Sequence, residues 1–415
     1  MSRKLLSQLR AKVTDGTVHL SAYKSTPALQ NRGQSPDPLR TIRVYRKSEP
    51  AFTFGQDYAE YFDGLCWTDA ELIFAGTREA GNDRKYTYVD DKVAPCTTYA
   101  YWIAGAEAEP TGPVAVRVRD KDVWWSQARV EQEMARLAAS YPDMVRVEDI
   151  GHTVQGRRIQ AVRVGRGKPT IALIGEIHGG ESGAELILPA IEHVLAHHSQ
   201  LLSHVSIDAI PVVNIDERER QVAGVPWYLR TNANGVDINR NFPALWDTVE
   251  YGYGLDSSDP DSGTYRGAAP ASEPETRAVI DFLVDRPLRA VYSFHCLASI
   301  CGMALLAPAC GSNDAPYVER CACLALAYAN GMAMGPSLDR EQILSFATTS
   351  GSLGAWCWSH GVSAFDLEIS AQLEPEALAQ CRIDETDRAL LAQYRQRHAL
   401  GLTAVVQAIA AEDSP

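Results

Sequence analysis

The sequence predicts an α/β protein: a mixed, mostly parallel sheet flanked by helices, preceded by a small all-β sandwich. Three observations carry this. From about residue 123 onward, near-continuous apolar strands alternate with helical stretches, the pattern of a sheet covered on both faces. Before that point, short alternating stretches are separated by Gly, Pro, Asp and Asn clusters, the pattern of a sandwich. Charge changes at the same place: residues 1–122 hold 17 Lys/Arg and 16 Asp/Glu, and the remainder holds 22 and 36. Two domains follow, 1–122 and 123–415.

In the first domain the alternating stretches are Thr17–Tyr23, Thr41–Lys47, Glu71–Ala75, Tyr86–Val89, Thr98–Ala104 and Val114–Arg119. The run from Tyr86 to Ile103 places a tyrosine-rich strand after the turn Val93-Ala-Pro-Cys96. It resembles the later strands of a fibronectin type III domain. That resemblance implies either a module that binds a partner or gates substrate, or a spacer covering one face of the next domain.

In the second domain, Asp122–Tyr141 has helical period and stops before Pro142. Val145–Ile150 and Arg158–Val164 read as strands around the turn Val154-Gln-Gly-Arg157. Thr170–Ile177 and Val205–Ile215 are apolar strands, with the amphipathic helix Ala184–His198 between them. Helix Arg277–Val284, strand Leu288–His295, helix Ala315–Asn330, strand Val362–Ile369 and helix Leu390–Ala411 complete the series. In such sheets the chemistry sits beyond the C-terminal ends of the strands.

Composition bounds the function. The chain has 415 residues, 46% hydrophobic and 22% charged, which is ordinary for a globular protein. A net charge of −13 argues against a partner recognised through a phosphate backbone. No apolar run reaches the roughly 20 residues of a membrane span. The basic start MSRKLLSQLRAKVTDG is followed by no long apolar stretch, so a cytoplasmic protein is expected. The nine cysteines are odd in number and scattered, which predicts a reduced chain. Cys321 and Cys323 read as small helix residues, and Cys296 and Cys301 fall near the candidate site.

The strand-end rule picks out particular residues. Ile171–Ile177 runs into His178-Gly-Gly-Glu181, and the strand at 288–294 runs into His295. The strand at 362–367 runs into Glu368. A catalytic zinc takes three N/O ligands and keeps one position open. Two side chains three apart on a short loop can aim at one point, and glycines between them let backbone approach. The pair alone also reads as a surface His beside a helix N-terminal Glu; His295, from a separate strand, strengthens the metal reading. His193 and His197 lie four apart on a helix with no following carboxylate and read as ordinary helix residues. In Asn234-Gly-Val-Asp-Ile-Asn-Arg-Asn-Phe-Pro243, Asp237 suits the second nitrogen of a ligand imidazole. Asn239 and Arg240 suit a carboxylate. The same residues also fit a capped turn.

Together these motifs resemble the zinc carboxypeptidases of the carboxypeptidase A superfamily, nearest to the bacterial branch with the murein tripeptide amidases. The resemblance covers about residues 123–400. It rests on Ile150-Gly-His-Thr-Val-Gln-Gly-Arg157, His178-Gly-Gly-Glu181 and Arg230–Pro243. It continues through Tyr265–Arg277, Ser293-Phe-His295, Thr348–Trp356 and Phe365-Asp-Leu-Glu-Ile369, in the family's order. The resemblance implies one zinc ion bound by His178, Glu181 and His295, with Asp237 orienting His178. It implies that Asn239 and Arg240 hold the free carboxylate of a peptide's terminal residue. Arg230 would stabilise the oxyanion and Glu368 would be the general base.

Two departures bear on substrate. Ala347 stands where the family carries a mobile tyrosine, and Tyr251, Tyr253 and Tyr265 are the candidates to replace it. Gly354 and Ala355 fall where the terminal side chain is recognised, leaving room for a large or branched group such as diaminopimelate. The expected function is release of a C-terminal residue from peptides, including murein-derived ones. An amidohydrolase of N-acyl amino acids, like aspartoacylase or succinylglutamate desuccinylase, and a non-catalytic peptide-binding homologue are the alternatives. The retained Glu368 argues against the last.

Overall fold

The structure is a computed structural model and describes residues 6–24, 41–49, 62, 64–77, 85–105, 108–248, 257–295, 303–332, 343–347, 350–369 and 388–412. The chain forms two compact units. The first holds residues up to Asp122 together with Arg220–Trp227; the second begins at Val123.

The first unit contains strands β1 (Leu6–Thr14), β2 (Thr17–Lys24), β3 (Thr41–Glu49), β4 (Glu71–Thr77), β5 (Lys85–Asp90), β6 (Thr97–Gly105) and β7 (Thr111–Val118). They form a three-stranded sheet, β1-β2-β5, and a four-stranded sheet, β4-β3-β6-β7. The sequence reading did not include β1. Every second residue of that strand is polar and only its start is fully buried, so little apolar signal marks it. Asp15 and Gly16 both take positive φ, 49° and 77°, as the tight turn between β1 and β2 requires. Val18, Leu20, Val44, Tyr101, Ile103 and Val116 from both sheets fill one core. The Tyr99 hydroxyl accepts a hydrogen bond from the Ala94 N–H, 2.9 Å, tying β6 to the turn before it. Residues 220–227 line up with this unit: Val13 N–H donates to Ala223 O and Arg117 N–H to Gly224 O, both at 2.8 Å.

In the second unit, α1 (Gln127–Ser140) starts later than its periodicity predicts, because Ser126 caps it by accepting from the Arg129 N–H. Strands β8 (Val145–His152), β9 (Arg158–Val164) and β10 (Thr170–Gly175) follow, then α2 (Ala184–His198) and β11 (Ser206–Ile210). Pro211 stops the strand well short of residue 215, where α3 (Ile215–Val222) begins. Next come α4 (Pro274–Leu283), β12 (Leu288–Phe294), β13 (Met303–Pro308), α5 (Ala315–Gly331) and β14 (Leu344–Ala347). α6 (Leu353–Ser359), β15 (Ser363–Ile369) and α7 (Arg388–Glu412) complete the unit. The short elements β13, β14, α3 and α6 offer too few residues for a period to show.

The eight strands make one mixed sheet in the order β14-β13-β15-β12-β10-β11-β9-β8. Its centre, β15-β12-β10-β11, is parallel, and every residue of β10 and β11 is buried. β9 and β8 run antiparallel at one edge, and β13 lies antiparallel to β15 at the other. α7 packs against α2 and α5, and the Tyr328 hydroxyl lies 2.7 Å from His398 Nδ1 in that layer. The parallel centre brings the ends of β10, β12 and β15 to one edge. No helix among the described residues is long and apolar enough to cross a membrane.

Candidate metal centre

β10 ends at Gly175, and the chain passes through Glu176, at φ 52°, into the loop that carries His178 and Glu181. The loop is pressed against its neighbours. A Cβ at Gly179 would lie 2.7 Å from the Arg218 backbone nitrogen, and one at Gly180 would strike the Tyr228 ring. The two glycines are therefore needed for space. Glu176 Oε1 accepts the N–H groups of Gly183 and Ala184, at 3.2 and 3.3 Å, and so caps the start of α2.

β12 delivers His295 to the same place, where its N–H donates to Leu367 O on β15. His178 Nδ1 lies 2.9 Å from Glu181 Oε1, and His295 Nδ1 lies 3.0 Å from Glu181 Oε2. His178, Glu181 and His295 are buried, and their donor atoms lie within 4.8 Å of one another. They are the one group of this kind among the described residues. Burial pushes the Glu181 carboxyl up, but the two imidazoles outweigh it and hold it well below the ordinary carboxylate range. Burial pulls His295 down, and the carboxylates of Glu181 and Asp366 reverse this, raising it well above its ordinary value. Two imidazole nitrogens and a carboxylate converging in a buried site are the donor set of a zinc centre.

Asp237 stands behind His178. Its Oδ1 is 3.1 Å from His178 Nε2 and accepts the Asn239 N–H at 3.0 Å, and its Oδ2 accepts from Arg230 Nε at 2.8 Å. Burial raises the Asp237 carboxyl, and Arg230, Arg240 and His178 more than offset it, leaving it far below the usual range. Asn239 and Arg240 lie in a short 3-10 turn and are buried. Asn239 Oδ1 accepts the Leu353 N–H at 3.0 Å, which fixes the amide so that its Nδ2 can donate. Arg240 Nη1 donates to Asn239 O at 2.8 Å. Gly351, at φ 59°, lets its backbone pass the Arg240 carbonyl. Glu368 is nearly buried on β15, opposite Ala304.

Three residues join this cluster that the sequence reading did not name. The Tyr228 hydroxyl donates to Glu181 Oε1 at 2.7 Å. Arg218, fully buried, donates from Nη1 to the Glu181 carbonyl at 2.7 Å and pairs with Glu185 and Glu176. Asp366 lies on the same face of β15 as Glu368 and 3.4 Å from both His295 Nε2 and Asn239 Nδ2. A period-2 reading from Glu368 points to Asp366, whereas no local pattern marks Tyr228 or Arg218.

Tyr265 gives its backbone carbonyl to the Asp237 N–H, at 2.8 Å. Tyr251, Tyr253, Thr348, Cys296 and Cys301 lie outside the described residues. His193 and His197 neighbour each other on α2, with ring centroids 4.7 Å apart and planes tilted by 53°, and are not part of the His178 group. Cys321 is buried and Cys323 exposed, as helix residues of α5.

The sheet and the buried His–Glu–His group define a metallopeptidase-like α/β architecture. A model of the zinc carboxypeptidase family matches residues 130–385, and the chain belongs to that family. It is 27% identical over 189 residues to carboxypeptidase D of Drosophila melanogaster, covering 41% of this chain and 12% of that protein. It is 29% identical over 176 residues to carboxypeptidase B of Astacus astacus, covering 38% and 56%. The matches thus span little more than half of these relatives at most. The crystal structure of carboxypeptidase A from Helicoverpa armigera shares the fold, with a TM-score of 0.59 at 20% identity, covering 71% of this chain and 76% of that one. The mixed, helix-flanked sheet expected from the sequence is the sheet observed.

Proposed function

We propose that this chain is a zinc metallocarboxypeptidase that hydrolyses the C-terminal amide bond of peptides. The observation that carries this reading is the meeting of His178 Nδ1, Glu181 and His295 Nδ1 in one buried group, with Asp237 behind His178. His178, Glu181 and His295 would hold a zinc ion, which would supply Lewis acidity at the scissile bond. Asn239 and Arg240 bind the substrate's terminal carboxylate and so select the last peptide bond. Arg230 is fixed through Nε to Asp237, leaving its terminal nitrogens to donate to the oxygen of the scissile carbonyl as charge grows there. Glu368 takes the proton of the attacking water and returns it to the leaving amine.

Murein-derived peptides ending in diaminopimelate are the proposed physiological class, in a cytoplasmic setting. The small size of Gly354 and Ala355 is what supports a terminal pocket that takes a large or branched group. The fibronectin type III likeness of the first unit remains part of the proposal, supported by its three-plus-four strands and the Tyr99–Ala94 bond.

The test is to incubate zinc-loaded protein with a mixed peptide pool and L-Ala-γ-D-Glu-diaminopimelate, reading products by mass spectrometry beside Glu368→Gln. Loss of one C-terminal residue with the wild type alone supports the reading. Turnover of N-acyl amino acids only, or none with zinc bound, replaces it with the amidohydrolase or the binding homologue.

A further inference from the structure

A cleft of about 260 Å³ lies in the second unit, and four of the side chains lining it are arginines: Arg146, Arg163, Arg166 and Arg286. Asp143 and Asp208 also line it, so the lining is net positive. The surrounding chain is not: residues 123–415 hold 22 Lys/Arg against 36 Asp/Glu. The sheet fixes where the cleft lies. Arg146 is at the start of β8, Arg163 and Arg166 flank the end of β9, and Arg286 precedes β12. The parallel strands β10, β11 and β12 begin at this edge, whereas β10 and β12 lead to His178 and His295 at the other.

Strand register puts the charges in one row. Arg146 is paired with Arg163 across β8 and β9, and Arg163 with Asp208 across β9 and β11. Like charges directly opposite on neighbouring strands repel. Arg163 is partly answered: Nε donates to Glu148, Nη1 lies 3.4 Å from Asp208 Oδ2, and the guanidinium sits 4.7 Å over the Phe282 ring of α4. Arg286 Nε donates to the same Oδ2 at 2.6 Å, and Arg166 Nη2 to the Asp143 carbonyl at 3.0 Å. The Arg146 side chain has no hydrogen bond or ion pair among the described residues. Asp208 is fully buried, and its Oδ1 meets no donor among the described residues. An enclosed carboxylate oxygen without a donor is costly.

The cleft therefore calls for two things at once: negative charge between Arg146 and Arg163, and a donor for Asp208 Oδ1. We propose that it binds a phosphate group that keeps a proton, whose oxygens accept from Arg146, Arg163 and Arg286 and whose O–H donates to Asp208 Oδ1. Arginine forks match phosphate oxygens in geometry and charge. Inorganic phosphate retains at least one O–H at neutral pH, and a phosphomonoester retains one near pH 6. Sulfate has the same shape and no proton, so its oxygens would face the Asp208 carboxylate without a hydrogen between them. The site lies apart from the metal centre and does not depend on the carboxypeptidase reading.

The test titrates the zinc-loaded full chain by calorimetry with inorganic phosphate, glycerol phosphate and sulfate, at constant ionic strength and about pH 6. Wild type is expected to bind the better phosphate ligand about tenfold or more tighter than sulfate, the scale of one hydrogen bond to a charged group. Tighter binding of glycerol phosphate names an ester as the source, and tighter binding of inorganic phosphate names the free ion. Arg146→Gln changes an exposed side chain and is expected to weaken phosphate about tenfold. Without phosphate its urea midpoint is expected to equal or exceed that of wild type, because the like-charge pair is gone. Asp208→Asn is expected to bring the phosphate-to-sulfate ratio toward one; should that variant not fold, the wild-type ratio alone decides this point. Equal affinity for phosphate and sulfate in wild type, or binding of none of the three, overturns the proposal. So does phosphate affinity unchanged in Arg146→Gln, the result expected of phosphate seated at the zinc, or a ratio unchanged in a folded Asp208→Asn.

Discussion

Asp237 Oδ1 stands 3.1 Å from His178 Nε2, while its second oxygen accepts from Arg230 Nε at 2.8 Å. One carboxylate thus sets the ring orientation of a candidate metal ligand and the position of the arginine beside it. An imidazole held this way presents Nδ1 to the metal and becomes a better donor.

Asp237→Asn is therefore expected to weaken zinc affinity roughly 10–100-fold, the usual effect of removing such a partner. Competition with a chelator dye measures it directly. Affinity equal to wild type would mean that His178 needs no orienting group.

Tyr228→Phe keeps the ring that packs over Gly180 and removes the hydroxyl that donates to Glu181 Oε1. Zinc affinity should fall roughly tenfold, with the urea midpoint little changed. An unchanged affinity would show that the two histidines suffice to place Glu181.

Arg218 is a buried cation shared by Glu176 and Glu185, and it also holds the Glu181 carbonyl. Burial raises the Glu176 carboxyl well above its usual range, Arg218 opposes this, and Glu185 adds to it. Arg218→Met leaves two enclosed carboxylates without their cation and should cost about 3–5 kcal/mol of stability. Urea denaturation at neutral pH is the measurement. A loss below about 1 kcal/mol, within the range of an exposed ion pair, would contradict the buried network.

His398 supplies a pH signature. Burial, with the nearby Arg397 charge, lowers it from its ordinary 6.5 to about 3. The folded chain then binds fewer protons here than the unfolded one. Stability from the neutral ring is complete above pH 6.5 and is lost as pH falls toward 3, by up to about 1.4 kcal/mol per pH unit. Urea midpoints at pH 7 and pH 5 should drop more for wild type than for His398→Gln. Equal drops would mean that the ring is not kept neutral by its surroundings beside Tyr328.

Much of this protein was legible from local pattern. The strands Arg158–Val164 and Thr170–Gly175 and the helix Ala184–His198 are long or apolar enough for a period to declare itself. His178 and Glu181 were legible because they fall together where a buried strand turns into a helix. Edges were less so: β1 reads as polar, α1 begins only at its Ser126 cap, and the strand from Ser206 ends at Ile210 before Pro211.

The sequence alone determined the alternation of strands and helices, and hence a parallel-centred sheet with polar residues at its strand ends. Only the tertiary structure decided which side chains meet. Tyr228 and Glu181 are 47 residues apart, and Asn239 and Asp366 are 127 apart. Their contacts follow from the order of the strands in the sheet and the path of the loops, which no local period encodes. Propensity and periodicity act over one or two turns of chain. The distances that give a carboxylate its partner are set when distant segments pack.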